Sequence, residues 1–220
     1  MRQPAAFLFD LDGTLAETLP DIAASCNHVR SRHGLPPADL AAVRAFVGDG
    51  ARALLARALH DALPGAGTRR EAMLDDALAM YVDHHHAQCT VHARLFPGVL
   101  PFLERERAAG RRLGVVTNKP ERFARPLLAH LGVADLLGAI VGGDTLPQRK
   151  PSPEPLRAAL RELGIAAASA VMVGDGVQDL RAGKAAGLST IGCLFGYGDI
   201  ATLRAEGADA WWASFGVAAD

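Results

Sequence analysis

Residues 5–15, AAFLFDLDGTL, are the stretch that decides the fold. Its apolar run, residues 5–9, does not alternate with polar residues, which predicts a strand that is buried on both faces. An acidic, Gly-containing turn follows this run at once. Similar apolar runs recur farther along the chain, at residues 113–116, 139–141, 170–173 and, more loosely, 188–194. We therefore expect a parallel sheet with helices packed on both of its sides.

Helical patterns lie between these runs, at residues 99–109, 120–131, 152–163 and 177–186. Prolines near their starts and glycines just past their ends are typical of helix boundaries. Ser152 is the candidate N-cap of the third of these helices. Strands that alternate with helices predict an α/β fold with a doubly wound parallel sheet.

Residues 18–95 break this rhythm, because they show helical periodicity and no strand. Gly- and Pro-containing breaks at 34–37, 48–50 and 64–67 divide the stretch into four predicted helices. We expect an inserted helical-bundle domain over residues 18–95. Residues 1–17 and 96–220 then form the α/β core domain.

The composition of the chain argues against several classes of protein. The chain has 220 residues, a net charge of −1 and 5% aromatic residues, so it lacks the basic field that nucleic acid needs. Its 3 cysteines form no CxxC pair or disulfide framework. No signal peptide or long apolar run is evident, so we expect a cytoplasmic protein that has no membrane or nucleic-acid partner. Monomer and homodimer remain open.

Polar residues follow the predicted strands, and in a parallel sheet these strand ends share one edge where ligands bind. The ends supply Asp10, residues 117–118, Asp144 and Asp175. Carboxylates gathered at one edge repel each other unless a cation lies among them. Oxygen ligands with incomplete protein coordination suit Mg²⁺, which binds alongside phosphate.

The residue types suit phosphate chemistry. Of Asp10 and Asp12, one carboxylate can attack phosphorus while the other protonates the leaving oxygen. Backbone N–H groups and a hydroxyl at Thr117-Asn118 can bind phosphate oxygens. Lys150 can neutralise their charge. These features indicate a phosphoryl-transfer site.

Four segments together resemble the haloacid dehalogenase superfamily, most closely its phosphoglycolate phosphatase branch. They are FDLDGTL at 9–15, VVTNK at 115–119, KP at 150–151 and GDGVQD at 174–179. The resemblance covers essentially the whole chain. It implies a Rossmann-like core with an inserted cap, and a Mg²⁺-dependent phosphatase that acts on a small phosphorylated metabolite, with 2-phosphoglycolate as the best candidate.

The resemblance also implies roles for individual residues. Asp10 is the nucleophile and a Mg²⁺ ligand, and Asp12 is the general acid and base and gives its backbone carbonyl to the metal. Lys150 stabilises the negative charge of the phosphate and of the nucleophile. Asp175 ligates the metal, and Asp179 supports the residues around the metal. Thr117 and Asn118 bind phosphate.

The chain departs from the family pattern in places. Residues 16–18, Ala-Glu-Thr, stand where this branch often has Val-Asp-Ser, and Gly176 stands where many members have Ser. The cap stretch 48–52 lies between predicted helices, where the branch commonly carries a substrate-specificity loop. There Gly50, at a helix N-terminus, and Arg52 would suit a second anionic group of the substrate.

Alternatives stay open within and outside the family. Asp12 argues against a haloacid dehalogenase, and the absence of lysine from residues 16–95 argues against a phosphonatase. A β-phosphoglucomutase-like sugar-phosphate mutase and a non-catalytic phosphate-binding regulatory protein remain. Other candidate substrates are sugar phosphates, an amino-sugar phosphate, nucleotides and pyrophosphate.

Two local features complete the expectations. Consecutive helix residues point in different directions, so residues 84–86, His-His-His, should form a solvated helix surface and no metal site. Trp211 and Trp212 should lie in a last strand or at the edge of the core.

Overall fold

The computed structural model describes residues 3–219. Its strands are β1 (Ala6–Phe9), β2 (Ala16–Glu17), β3 (Arg94–Leu95), β4 (Arg112–Val116), β5 (Ala139–Val141), β6 (Ala170–Gly174), β7 (Ser189–Cys193), β8 (Ala210–Ser214) and β9 (Val217–Ala218). Its α-helices are α1 (Leu19–Arg32), α2 (Leu40–Phe46), α3 (Ala51–Ala58), α4 (Thr68–Gln88), α5 (Val99–Ala108), α6 (Glu121–His130), α7 (Glu154–Leu163), α8 (Val177–Ala186) and α9 (Ile200–Glu206). The chain divides into two compact units, Met1–Glu17 with Arg94–Asp220, and Thr18–Ala93.

The first unit is built on one sheet, whose strand order is β5-β4-β1-β6-β7-β8-β9. Its pairs are parallel except β8 with β9, which is antiparallel. The first apolar run of the sequence forms β1, between β4 and β6. A parallel sheet with helical crossovers confirms the predicted α/β class. The carboxyl ends of β1, β4 and β6 therefore meet at one edge.

Successive residues of β1 point to opposite faces of the sheet. Ala6 and Leu8 belong to a core of aliphatic side chains that includes Leu156 and Leu160 of α7. Phe7 and Phe9 stack at 5.9 Å between ring centroids, and both contact Phe102 of α5 edge-on. Both faces of this strand are thus covered, which is why the run showed no alternation.

The second unit contains α1 to α4, as the breaks in the sequence predicted. Within it, α1 packs against α4. Buried polar contacts join the two: Ser25 Oγ lies 3.0 Å from His85 Nδ1. The buried carboxylate of Asp21 accepts the backbone N–H of His92 at 3.1 Å. Across residues 3–219, no helix combines the length and apolar composition that a membrane crossing needs.

Some local predictions were wrong. The stretch 18–95 was expected to lack strands, but Arg94–Leu95 pairs antiparallel with Ala16–Glu17. A strand of this length is too short to show a periodic pattern. Helix α7 has Pro153 and not Ser152 as its N-cap. The Trp pair does lie in a strand, β8, as predicted.

The prediction for residues 84–86 was partly wrong. The three side chains do differ in direction, since His86 is exposed and His84 half-buried. His85, however, is only 1% exposed and stacks on Tyr81. His84 stacks on His28 with centroids 4.3 Å apart. Burial and the neighbouring His28 lower the pKa of His84. The rings of His84 and His85 thus pack against other side chains, and His86 alone of the three lies on a solvated surface.

Candidate active site

The turn after β1 places the first acidic segment. Asp10 N–H donates to Val173 O at 2.9 Å and continues the ladder with β6. The chain then turns tightly, with Gly13 N–H donating to Ala16 O at 2.9 Å. Gly13 has a φ of +86°, and a Cβ there would overlap the Asp175 carboxylate. Glycine is required here by both the backbone conformation and the close approach.

A buried group of carboxylates lies at this edge of the sheet. One oxygen from each of Asp10, Asp175 and Asp179 lies within 4.8 Å of the others. Asp175 follows β6, and Asp179 lies in the first turn of α8. All three are buried, with Asp10 7%, Asp175 4% and Asp179 0% exposed. Burial, with the charge of Asp10 second, raises the pKa of Asp175 to about 6.

Lys150 is the cation inside this group. Its Nζ lies 2.9 Å from Asp10 Oδ1 and 2.7 Å from Asp179 Oδ1, and it donates to Val116 O at 2.6 Å. Burial opposes the charge of Lys150, but Asp10 and Asp179 outweigh that effect and raise its pKa. Burial also raises the pKa of Asp179, against the opposing effect of Lys150. One ammonium therefore pairs with two carboxylates while Asp175 adds a third, so the group favours further positive charge.

Asn118 holds Lys150 in place. Its side-chain amide donates to Lys150 O at 3.0 Å, and its Oδ1 accepts Lys150 N–H at 3.0 Å. Thr117 continues the β4 ladder by donating its N–H to Val141 O, and its Oγ1 accepts Lys119 N–H at 3.1 Å. The predicted phosphate-binding pair thus lies beside the carboxylates, and the Asn118 side chain positions the lysine.

Lys119 is a residue to which the sequence reasoning gave no role. Its Nζ lies 3.0 and 3.2 Å from the two carboxylate oxygens of Asp12, and its side chain is 5% exposed. Its position directly after Thr117-Asn118, at the end of a strand, could have indicated that it belongs to the site. A buried ammonium on both oxygens holds the Asp12 carboxylate in one orientation.

Asp144, which the sequence suggested for the carboxylate cluster, lies outside it. It is exposed, and its Oδ1 accepts the N–H of Glu121 at 2.7 Å, at the start of α6. Its place in the predicted carboxylate cluster is taken by Asp179. Asp179 Oδ2 accepts Gly176 N–H at 2.9 Å, so the backbone makes a bond here although Gly176 has no hydroxyl.

Comparison with known proteins assigns the chain to a family. A sequence model of haloacid dehalogenase-like hydrolases matches residues 7–193. The chain belongs to this family. The phosphoglycolate phosphatase of Rhodospirillum rubrum is 45% identical over 199 residues, which cover 88% of this chain and 81% of that protein. That of Xanthomonas campestris is 43% identical over 197 residues, covering 90% and 86%.

Solved structures give the same result. The crystal structure of a predicted phosphoglycolate phosphatase from Haemophilus somnus is 30% identical, with a TM-score of 0.85, and the match covers 98% of this chain and 96% of that one. This haloacid dehalogenase-like hydrolase is a phosphatase similar to phosphoglycolate phosphatases. The family resemblance inferred from the four sequence segments is confirmed.

The predicted cap residues of this hydrolase belong to the helical unit. Gly50, with a φ of +87°, precedes the first turn of α3. Arg52 donates to Glu71 Oε2 at 2.6 Å and also to Asp75, both on α4. Hydrogen bonds to Glu71 and Asp75 raise the pKa of Arg52. The guanidinium is thus held by two carboxylates of its own unit.

Proposed function

We propose that this hydrolase takes phosphate from a small metabolite through an aspartyl-phosphate on Asp10, with Mg²⁺ as cofactor and 2-phosphoglycolate as substrate. The proposal rests on the environment of Asp10. Asp10 is a strand-end carboxylate, 7% exposed, with the Lys150 ammonium 2.9 Å from its Oδ1 and other carboxylates beside it. The Lys150 ammonium lowers the repulsion between this nucleophile and an anionic phosphate, and a bound cation would lower it further.

The buried carboxylates fit a divalent cation. They offer hard oxygen ligands within 4.8 Å of one another, and the raised pKa of Asp175 reflects burial and repulsion that a cation would relieve. Asp10, Asp175 and the backbone carbonyl of Asp12 would hold Mg²⁺, supported by Asp179. When bound, Mg²⁺ would offset the negative charge of the phosphoryl oxygens.

In the first half-reaction an Asp10 oxygen attacks phosphorus, and the bond from phosphorus to the leaving oxygen breaks. Asp12, in its protonated form, gives its proton to that oxygen, so the alcohol leaves neutral. Thr117 and the backbone at Asn118 bind the phosphoryl oxygens, and Lys150 keeps its charge throughout. The product is an acyl phosphate on Asp10 and an ionised Asp12.

In the second half-reaction Asp12 takes a proton from a water molecule, which attacks the phosphorus of the acyl phosphate. The bond to Asp10 breaks, orthophosphate leaves, and both carboxyl groups return to their starting protonation states. Lys119 Nζ, 3.0 and 3.2 Å from the two oxygens of Asp12, holds that carboxylate in a fixed orientation through both half-reactions.

The relatives support the choice of substrate, because those from Rhodospirillum rubrum and Xanthomonas campestris are named phosphoglycolate phosphatases. A second anionic group on the substrate matches the cationic side chain of Arg52 next to the helix start at Gly50. To bind it, Arg52 would exchange Glu71 or Asp75 for the substrate carboxylate.

Phosphate release over a metabolite panel at saturating Mg²⁺, ranked by kcat/KM, tests the proposal. We expect 2-phosphoglycolate to rank first, ahead of sugar phosphates, an amino-sugar phosphate, nucleotides and pyrophosphate. Acid quenching with radiolabelled substrate should label the wild type and not Asp10→Asn. Isomerisation of β-glucose 1-phosphate without phosphate release would indicate a mutase, and binding without any turnover would indicate a regulatory protein. Either result would overturn the proposal.

A further inference from the structure

The loop after β7 holds the carboxylate of Asp175. Tyr197 N–H donates to Asp175 Oδ2 at 2.7 Å, and Gly198 N–H lies 3.4 Å from the same oxygen. The other oxygen, Oδ1, accepts the Thr14 hydroxyl at 2.7 Å. Gly and Tyr in a loop carry no functional signal of their own, so this loop could not be recognised from the sequence.

The loop is pressed against Asp175. A Cβ at Gly196 would overlap Asp175 Cβ and Gly13 O, and a Cβ at Gly198 would overlap Asp175 O. Backbone can come this close only where side chains are absent. A shift of this loop would therefore also shift the Asp175 side chain.

The side chain of Tyr197 ties this loop to the first acidic segment. Tyr197 is 9% exposed, and its hydroxyl donates to Glu17 Oε1 at 2.6 Å. Glu17 ends β2, which directly follows the turn that begins at Asp10. A hydroxyl bonded to a carboxylate is a strong, charge-assisted pair. One residue thus joins the segment that carries Asp10 to the carboxylate of Asp175.

We propose that Tyr197 and Glu17 are positioning residues that set the distance between Asp10 and Asp175 for metal binding. Tyr197 acts through its backbone N–H on Asp175, and its hydroxyl bond to Glu17 keeps that N–H in place. The inference rests on the proposed Mg²⁺ site. Groups that hold metal ligands commonly change metal affinity by 10- to 100-fold when removed.

Mn²⁺ binding to the substrate-free protein, followed by electron paramagnetic resonance of the free ion, tests the inference without activity. Tyr197→Phe keeps the ring and backbone N–H and loses only the hydroxyl, so we expect its Kd for Mn²⁺ to rise about tenfold. Tyr81→Phe, in the helical unit, is the matched control and should bind as the wild type does. Glu17→Ala should raise Kd as Tyr197→Phe does, and Glu17→Gln, which still accepts a hydrogen bond, should restore most of the affinity.

The double variant Tyr197→Phe/Glu17→Ala should bind Mn²⁺ no more weakly than either single variant, because the two substitutions break the same hydrogen bond. With an aryl phosphate, the Mg²⁺ concentration for half-maximal rate should rise while kcat at saturating Mg²⁺ stays near that of the wild type. Unchanged Kd in Tyr197→Phe and Glu17→Ala, or effects that add in the double variant, would overturn the inference alone. Failure of the wild type to bind Mn²⁺ would overturn the proposed metal site itself.

Discussion

The buried carboxylates should make the metal-free protein sensitive to pH in an unusual direction. Burial and the charge of Asp10 raise the pKa of Asp175 from its ordinary value of 3.8 to about 6. The folded state therefore holds this proton more tightly than the unfolded chain does. The cost of ionising Asp175 is absent below about pH 4 and complete above about pH 7, so stability is lost as the pH rises.

The magnitude follows from the size of the pKa change. A rise from 3.8 to about 6 corresponds to about 3 kcal/mol of lost stability once Asp175 is fully ionised. Asp175→Asn cannot ionise and escapes this loss. In EDTA, the wild type should therefore lose about 3 kcal/mol relative to Asp175→Asn between about pH 4 and pH 7, or about 6–12 °C in Tm.

Thermal unfolding of both proteins across this pH range, in EDTA and then in Mg²⁺, measures the effect. Hydrogen bonds lost in Asp175→Asn shift its Tm equally at every pH, so only the change of the difference with pH counts. Asp144→Asn is the matched control, since Asp144 is exposed and lies outside the buried group. Mg²⁺ at neutral pH should stabilise the wild type more than Asp175→Asn. A Tm difference that stays constant from pH 4 to pH 7 would refute the electrostatic argument.

Three further predictions concern activity. Asp10→Asn should lower kcat on the order of 10⁴-fold or more while the protein stays folded, because it removes the proposed nucleophile; near-normal turnover by a folded variant would contradict the mechanism. EDTA should abolish turnover, with Mg²⁺ and not Ca²⁺ restoring it, because the site suits a small, partly hydrated cation; full activity after chelation would exclude the cofactor. Arg52→Ala should lower kcat/KM about 10- to 150-fold for 2-phosphoglycolate and little for an aryl phosphate. Arg70→Ala, which removes a donor to Pro64 O on the same unit, is its control, and equal losses on both substrates would assign Arg52 to folding of the helical unit.

Much of the core could be predicted because its signals are local. Apolar runs without alternation mark strands with two covered faces, and β1, β4, β5, β6 and β7 lie where those runs lie. Once the sheet is parallel, chain connectivity alone places Asp10 and Asp175 at the same edge. The edge that carries these carboxylates therefore follows from patterns that span only a few residues each.

Side-chain partners could not be predicted in the same way. Asp144 and Asp179 are both acidic residues near strand ends, but Asp144 is exposed beside α6 while Asp179 lies buried against Lys150. Which acid faces inward depends on how each helix begins after its strand. His85 was expected on a solvated surface, yet it is buried against Tyr81 and bonded to Ser25, because the width of the buried face of α4 depends on its neighbours.

The sequence by itself determined the order of the strands β1, β4, β5, β6 and β7, the inserted helical segment and the acidic and basic residues of the four family segments, because local periodicity and turn chemistry encode them. Only the tertiary structure decided that Lys119 holds Asp12, that Lys150 serves both Asp10 and Asp179, and that Tyr197 joins Glu17 to Asp175. These contacts join residues more than 100 positions apart in most cases, and only the packing of the folded chain brings them within hydrogen-bonding distance.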